Sequence, residues 1–159
     1  MTEDEALSIL RGNDLARVAR AEAALWAMWC RSGEAEIDAL LRQGVEIMER
    51  QDDLAEAEAS FARVIELCPE FAEGWNKRAT VRFLAGNYEG SIADCRETLA
   101  RKPHHFGALS GQGLCHLSLD QHREAAALFR RALEVHPHLT AARRNLAIAL
   151  AEAVKGNGH

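Results

Sequence analysis

The three prolines of this chain, Pro69, Pro103 and Pro137, stand 34 residues apart at both intervals, and no other feature constrains the fold as tightly. A fixed period of this length means that one supersecondary unit is copied along the chain and that each copy buries its apolar face against the next. Aligned on the prolines, the copies run over 38–71, 72–105 and 106–139. Each holds two helix-length segments separated near the middle by a turn: Gln51-Asp52-Asp53, Gly86-Asn87 and Asp120-Gln121. Proline closes each copy, since it cannot continue the helical hydrogen-bond ladder and biases the preceding residue away from the helical region. The spacing predicts an all-α chain of helix hairpins stacked side by side.

Small side chains recur at fixed places within the copies. Ala79 and Gly113 in the first segments, with Ala57 and Ala125 in the second, allow two helices to approach closely, and Phe61 and Phe129 fill the space between neighbouring hairpins. This layout closely resembles the tetratricopeptide repeat, a helix-turn-helix unit of the same length with Trp, Leu-Gly and Tyr in its first helix and Ala, Phe and Pro in its second. The third copy carries Leu109, Gly113, Ala125, Phe129, Ala132 and Pro137 in the matching slots. The second carries Trp75, Ala79, Gly86, Tyr88 and Pro103, and the first Leu41, Ala57, Phe61 and Pro69. Gly44 falls one place early, and Ser91 and Cys95 replace the small and aromatic residues of the second copy. The stretches LWAMWCRSG, FAEGWNKRAT and HFGALSG are further similar to small bacterial proteins of this family, several of which enter the periplasm through a presequence. The resemblance implies a right-handed α-solenoid of three hairpins and no particular biochemical activity.

Both ends of such a stack would expose an apolar face and call for a cover. Residues 140–156, TAARRNLAIALAEAVKG, supply a C-terminal capping helix in the register of the first helix of an unfinished fourth copy. Residues 1–37 form an N-terminal helical extension. Within it, Leu15, Val18, Ala19, Leu25, Trp26 and Trp29 share one helical stripe interrupted by Glu22, which predicts a helix packed on the first repeat. Whether that helix buries both tryptophans or leaves one for a partner stays open. Trp75, at a consensus position, is read as core.

Hydrophobic residues make up 48% of the chain and charged residues 27%, as in an ordinary soluble domain. No apolar run approaches the ~20 residues that span a bilayer, and the start, MTEDEALSIL, is acidic where a presequence would be basic. Cys30, Cys68, Cys95 and Cys115 are scattered with no CxxC, which reads as free thiols in a reducing intracellular compartment. A periplasmic setting would require a presequence already removed. The net charge of −5 divides unevenly, with 17 acids and 7 bases over residues 1–75 and 7 acids and 12 bases over residues 76–159. Opposed halves make self-association an alternative function, weakened by salt.

Six of the seven histidines lie between 104 and 138, with His104-His105 and His136/His138 in the connections after the second and third copies. Stacking brings these pairs to one edge, but no carboxylate or thiolate in the loops completes a ligand set, so they read as solvated loop residues and not as a metal site. No G-x-S-x-G, HExxH, Walker or dinucleotide motif occurs, and nothing calls for a cofactor or for catalysis. Arg130, Arg131, Arg143, Arg144 and Lys155 cluster without interleaved aromatics, which argues against nucleic acid.

In the family that the chain resembles, the first helix of each repeat lines a concave groove for a peptide segment or a partner helix. The residues carried over are Arg42, Glu46, Glu49 and Arg50 from the first copy, and Glu73, Asn76, Thr80, Phe83 and Leu84 from the second. The third offers Gly107, Ser110, Leu114, Leu117 and Ser118, and the last helix Arg144 and Ile148. Phe83, Leu114 and Leu117 are the candidate anchors, with Asn76 the hydrogen-bonding residue towards a peptide backbone. The implied function is a non-enzymatic protein-interaction module. The slots that hold chaperone carboxylates in some family members fall at Arg42, Glu46, Lys77, Gly107 and Gly111, an incomplete set.

Overall fold

Each proline is preceded by a residue in nearly the same extended conformation: Cys68 at φ −144°, ψ 74°, Lys102 at −133°, 82° and His136 at −136°, 87°. Proline disfavours the helical region in the residue before it, so the second helix of each hairpin stops there, and the amide of that residue still closes the last turn onto Val64, Thr98 or Ala132. These stops divide a computed structural model of the chain, which describes residues 1–156. Among the described residues there are nine α-helices and no strand.

The repeats are the pairs α3 (Ala35–Arg50) with α4 (Leu54–Leu67), α5 (Ala72–Leu84) with α6 (Tyr88–Arg101), and α7 (Phe106–Ser118) with α8 (His122–Val135). They stack in chain order as an all-α solenoid, closed on α8 by α9 (Thr140–Gly156). Within each pair a left-handed residue makes the turn: Gln51 at φ 56°, Gly86 at 81° and Asp120 at 58°. The early placement of Gly44 now has a physical reason. Gly44 lies seven residues before Gln51, just as Ala79 and Gly113 lie seven before Gly86 and Asp120, so the turn has moved with the helix contact. A Cβ on Gly44 or Gly113 would fall 2.5 or 2.7 Å from the ring of Phe61 or Phe129, both fully buried. Losing either ring would cost about 3–5 kcal/mol.

A buried carboxylate braces the middle of the stack. Asp94 on α6 takes a two-bond contact from Arg78 at 2.9 Å for each bond, and a third from Arg82 at 3.1 Å. Arg82 also reaches Glu58 of α4 at 2.5 Å, so three successive helices share one ion network. Trp75 is not core. It stands half-buried on the outer edge between the guanidiniums of Arg78 and Arg101, 5.3 and 4.9 Å from its ring, and donates to the Pro69 carbonyl.

The N-terminal extension departs furthest from expectation. Two helices, α1 (Glu3–Leu10) and α2 (Leu15–Trp29), form a hairpin of their own through Ala6, Leu10, Val18, Ala21 and Leu25. The body of α2 does not cap the first repeat: its apolar face packs on Phe106, Val135 and Leu139 of the third, and only Cys30 at its end meets the first-repeat core. The stripe is rotated accordingly, with Val18, Ala21, Leu25 and Trp29 buried while Leu15 is 64% exposed and Ala19 faces solvent.

Candidate protein-binding groove

The hairpin lies along the row of loops that join the repeats, and the histidines meet it there. His105 and His136 are not solvated: they are 0% and 1% exposed. His136 Nε2 lies 3.2 Å from Glu22, the residue that interrupts the apolar stripe of α2, and His138 Nε2 donates to the Gly12 carbonyl at 2.7 Å. One repeat earlier, Lys102 pairs with Glu3 at 2.9 Å, and Glu3 also accepts from the Trp29 indole at 3.3 Å. Lys102 and His136 hold the same repeat slot, so successive connections present one polar hand each to the hairpin.

Beneath α2 a charge is buried. Glu73, fully enclosed, takes His105 Nε2 at 2.9 Å on one oxygen, and Asn76 Nδ2 at 2.7 Å with Lys77 Nζ at 3.4 Å on the other. The amide of Ala108 donates to His105 Nδ1 at 3.1 Å, which leaves Nε2 carrying the proton that goes to Glu73. His105 thus caps α7 with one side of its ring and donates to Glu73 with the other, while Lys77 supplies the opposite charge. Burial pushes the Glu73 carboxyl up, and the hydrogen bond from His105, with the Lys77 ammonium and the Asn76 amide, more than offsets it, so its pKa lies below its ordinary value. Trp29 stacks on His105 at 4.2 Å, and Trp26 meets His105 and Phe106 edge-on at 5.2 and 5.6 Å. Lys77 lies 5.3 Å over the Trp26 ring. Gly107 leaves room for that ring, which a Cβ would meet at 2.7 Å.

The groove residues read from the sequence therefore separate into groups. Glu73 and Asn76 are buried, and Asn76 Nδ2 donates to Glu73 at 2.7 Å, which takes one of its two amide hydrogens. Thr80 and Leu84 are exposed, Phe83 is half-buried against Tyr88 at 5.5 Å, and Leu114 and Leu117 are half-buried against α8 and α9. Asn76, Thr80, Phe83 and Leu114 line one cavity of about 130 Å³ between α5 and α7, backed by Ser91 and Cys95 of α6 and opened by Gly107 and Gly111. Arg42 and Glu46 line a different cavity, of about 480 Å³, with Cys30, Leu41, Val45 and Lys77. Ser110 is half-buried with no partner for its hydroxyl, and Arg144 and Ile148 are exposed on α9. Burial raises the thiols of Cys30 and Cys115, and that of Cys95 to about 12, which holds them protonated. Among the described residues, no three His, Cys, Asp or Glu side chains gather as metal ligands, and no helix is long and apolar enough to cross a membrane.

A sequence model of the tetratricopeptide repeat matches residues 49–106, 96–134 and 110–155. The chain belongs to the tetratricopeptide repeat family. It is 33% identical over 129 residues to a TPR repeat-containing protein of Rhizobium etli, a match that takes in 81% of this chain and 62% of that relative's length. Its fold is similar to the Sgt2 TPR domain of Aspergillus fumigatus, with TM-score 0.74 and 19% identity over 79% of this chain and 84% of that one. It is also similar to the first TPR of Spaghetti (RPAP3) bound to the HSP90 peptide SRMEEVD, with TM-score 0.72 and 19% identity over 74% and 93% of the two chains. At these identities the two solved structures establish the shared solenoid.

Sequence reasoning missed the hairpin's partners: Trp26, Trp29 and Glu22 on one side, His105 and His136 on the other. One signal was present in the repeat itself. His105 falls in the slot filled by Phe71 and Leu139, both of which turn inward.

Proposed function

We propose that the chain is a protein-interaction module that takes a segment of another protein in the open half of its groove, with one apolar side chain of that segment entering the cavity between α5 and α7. The observation that carries this reading is the cavity: Phe83, Leu114 and Ala79 give it apolar walls, and no residue of the chain's own hairpin lines it. Thr80 at its rim and Arg144 on α9 supply polar contacts around the anchor, while Leu117 and Ile148 extend the apolar strip. That a similar fold is bound to an HSP90 peptide supports a peptide-binding role for this one. The role is non-catalytic. The thiols of Cys95 and Cys115 are held protonated, and the Glu73–His105 pair is enclosed while the hairpin is in place.

The test is capture of partners from the native cell by crosslinking, with wild type compared against Phe83→Ala and Gly111→Leu. Gly111 faces open space except for Cys95 Sγ at 3.8 Å, so a larger side chain there fills the cavity without disturbing a helix contact. Loss of the same partner from both folded variants is expected. Retention of every partner by both removes the reading. The alternative, association of copies through oppositely charged halves, is less favoured, because Arg78, Arg82 and Lys102 spend their charge inside the chain. Sedimentation at low ionic strength showing dimers that salt dissolves would reinstate it.

A further inference from the structure

The surface under the α1–α2 hairpin is polar at its centre, yet its polar groups are satisfied without the hairpin. Both oxygens of Glu73 are held by His105, Asn76 and Lys77, and His105 Nδ1 by the amide of Ala108, all from α5, α7 and the loop before α7. Lifting the hairpin would leave none of these groups orphaned, which removes the usual penalty for opening a buried polar site. The hairpin contributes an aromatic face, Trp26 and Trp29, an apolar contact on Phe106, Val135 and Leu139, and a few polar ties at the margin: Glu3 to Lys102, Glu22 to His136 and the Gly12 carbonyl to His138. Its two helices also pack on each other, through Ala6 and Leu10 of α1 and Ala21 and Leu25 of α2. The link to the repeats is short and anchored on the far side, where the Ser32 amide and hydroxyl both donate to Asp38, at 2.8 and 2.6 Å. That arrangement lets the hairpin leave as one body, pivoting at Cys30 and Arg31.

We propose that the hairpin is a displaceable occupant, and that the floor beneath it is a second docking surface, for a partner's amphipathic helix presenting two aromatic side chains three residues apart and a carboxylate four residues before the first. The chemistry of that helix is set by what already sits there: Trp26 against Gly107 and His105, Trp29 stacked on His105, and Glu22 beside His136. The aromatic pair covers the hydrogen-bonded Glu73–His105 floor, and the carboxylate meets the buried imidazole. This surface adjoins the cavity between α5 and α7 at Asn76 and Gly107, but its test rests on Trp26, Trp29 and Glu3, which do not line that cavity.

The experiment uses the full chain and a fluorescent peptide of residues 13–31, which carries the α2 face. Glu3→Lys sets two ammonium groups against each other at Lys102 and loosens the chain's own hairpin, yet it alters neither the floor nor the peptide. A larger open fraction raises apparent affinity in proportion, so the peptide is expected to bind the variant at least about fivefold more tightly than wild type. A peptide with both tryptophans replaced by alanine is expected not to bind. Amide exchange of the wild-type chain is expected to show α2 opening at least about tenfold more often than α7, a measurement that stands even if the variant misfolds. Equal binding to both chains, binding of the tryptophan-free peptide, no binding at all, or α2 and α7 opening only together would overturn the proposal. A dimer that forms by exchange of hairpins would overturn the partner assigned here, since the occupant would then be a second copy.

Discussion

Three glycines on one helix, α7, offer an internally controlled test of the packing described above. Replacing a helical glycine by alanine stabilises by about 1 kcal/mol through backbone entropy alone, so each substitution starts from the same gain and differs only in what the new methyl meets. At Gly111 the nearest heavy atom is Cys95 Sγ at 3.8 Å, ordinary contact, so the gain survives and melting should rise by about 2–4 °C. At Gly113 the methyl would sit 2.7, 2.9 and 3.0 Å from three atoms of the Phe129 ring, which is fully buried and has nowhere to turn. Overpacking of this kind costs about 1–3 kcal/mol, which cancels or reverses the gain and separates the two variants by about that amount. Gly107 is the intermediate case, because the Trp26 ring met at 2.7 Å is only half-buried and belongs to the hairpin, so strain there is relieved by loosening α2. Urea unfolding followed by circular dichroism measures all three, and tryptophan emission separates local from global loss. A Gly113→Ala protein as stable as Gly111→Ala would refute the close contact of α7 with α8.

Three further outcomes follow from the buried histidines, carboxylates and thiols. His105→Ala removes one partner of a fully buried charge and should cost about 3–5 kcal/mol, whereas exposed His104→Gln should stay within ~0.5 kcal/mol; equal melting temperatures would return both to solvent. The Glu73 pKa lies below its ordinary value because His105, Lys77 and Asn76 outweigh the effect of burial, so its stabilisation is complete above the unfolded-state pKa of about 4.3 and is lost as pH falls through the lower folded value. Melting curves over this acid range should fall steeply for wild type and less so for Glu73→Gln, and parallel curves would contradict the assignment. A thiol reagent should modify half-buried Cys30 and Cys68 in the native chain and reach Cys95 and Cys115 only on unfolding, which mass spectrometry of the labelled peptides decides.

The solenoid was legible because its signal is a spacing, and a spacing survives substitution at most other positions. Pro69, Pro103 and Pro137 act locally, each on the residue before it, and local effects can be read without knowing the fold. The place of α2 is a different kind of fact. Helical periodicity tells which residues face inward but not which surface covers them, and the last turn of α2 is followed so closely by α3 that packing on the first repeat was the economical expectation. What holds the hairpin along the second and third repeats is a set of long-range matches, its apolar face on Phe106, Val135 and Leu139 with Glu22 at His136 and Glu3 at Lys102, that no local pattern records. Glu22 looked like a flaw in the stripe because its partner lies 114 residues away. Trp75 misled for the opposite reason: its consensus slot promised burial, but Arg78 and Arg101 hold the ring at the surface.

The position of the hairpin also narrows the chemistry of the groove. A carboxylate ligand would need cations at the inner end, where the relevant slots are Arg42, Glu46, Lys77, Gly107 and Gly111. Lys77 is already engaged by Glu73 at 3.4 Å and by the Trp26 ring, and Trp26 fills the space over Gly107. An incoming carboxylate about 4 Å from Glu46 would meet a repulsion of about 4 kcal/mol at an effective dielectric of about 20, which Arg42 alone would at best balance. The outer end makes no such demand. An aliphatic side chain buried in the cavity beside Phe83 and Leu114 contributes about 1.5–3 kcal/mol, short of the roughly 8 kcal/mol that a micromolar complex requires. The difference has to come from the strip beyond it, where Leu117 and Ile148 continue the apolar surface and Arg144 offers a cation. On the proposed reading, a partner segment for this half of the groove would carry a spaced pair of apolar residues with an acid nearby, and Arg144→Glu should weaken it while leaving the fold intact; unchanged binding by that variant would confine recognition to the cavity alone.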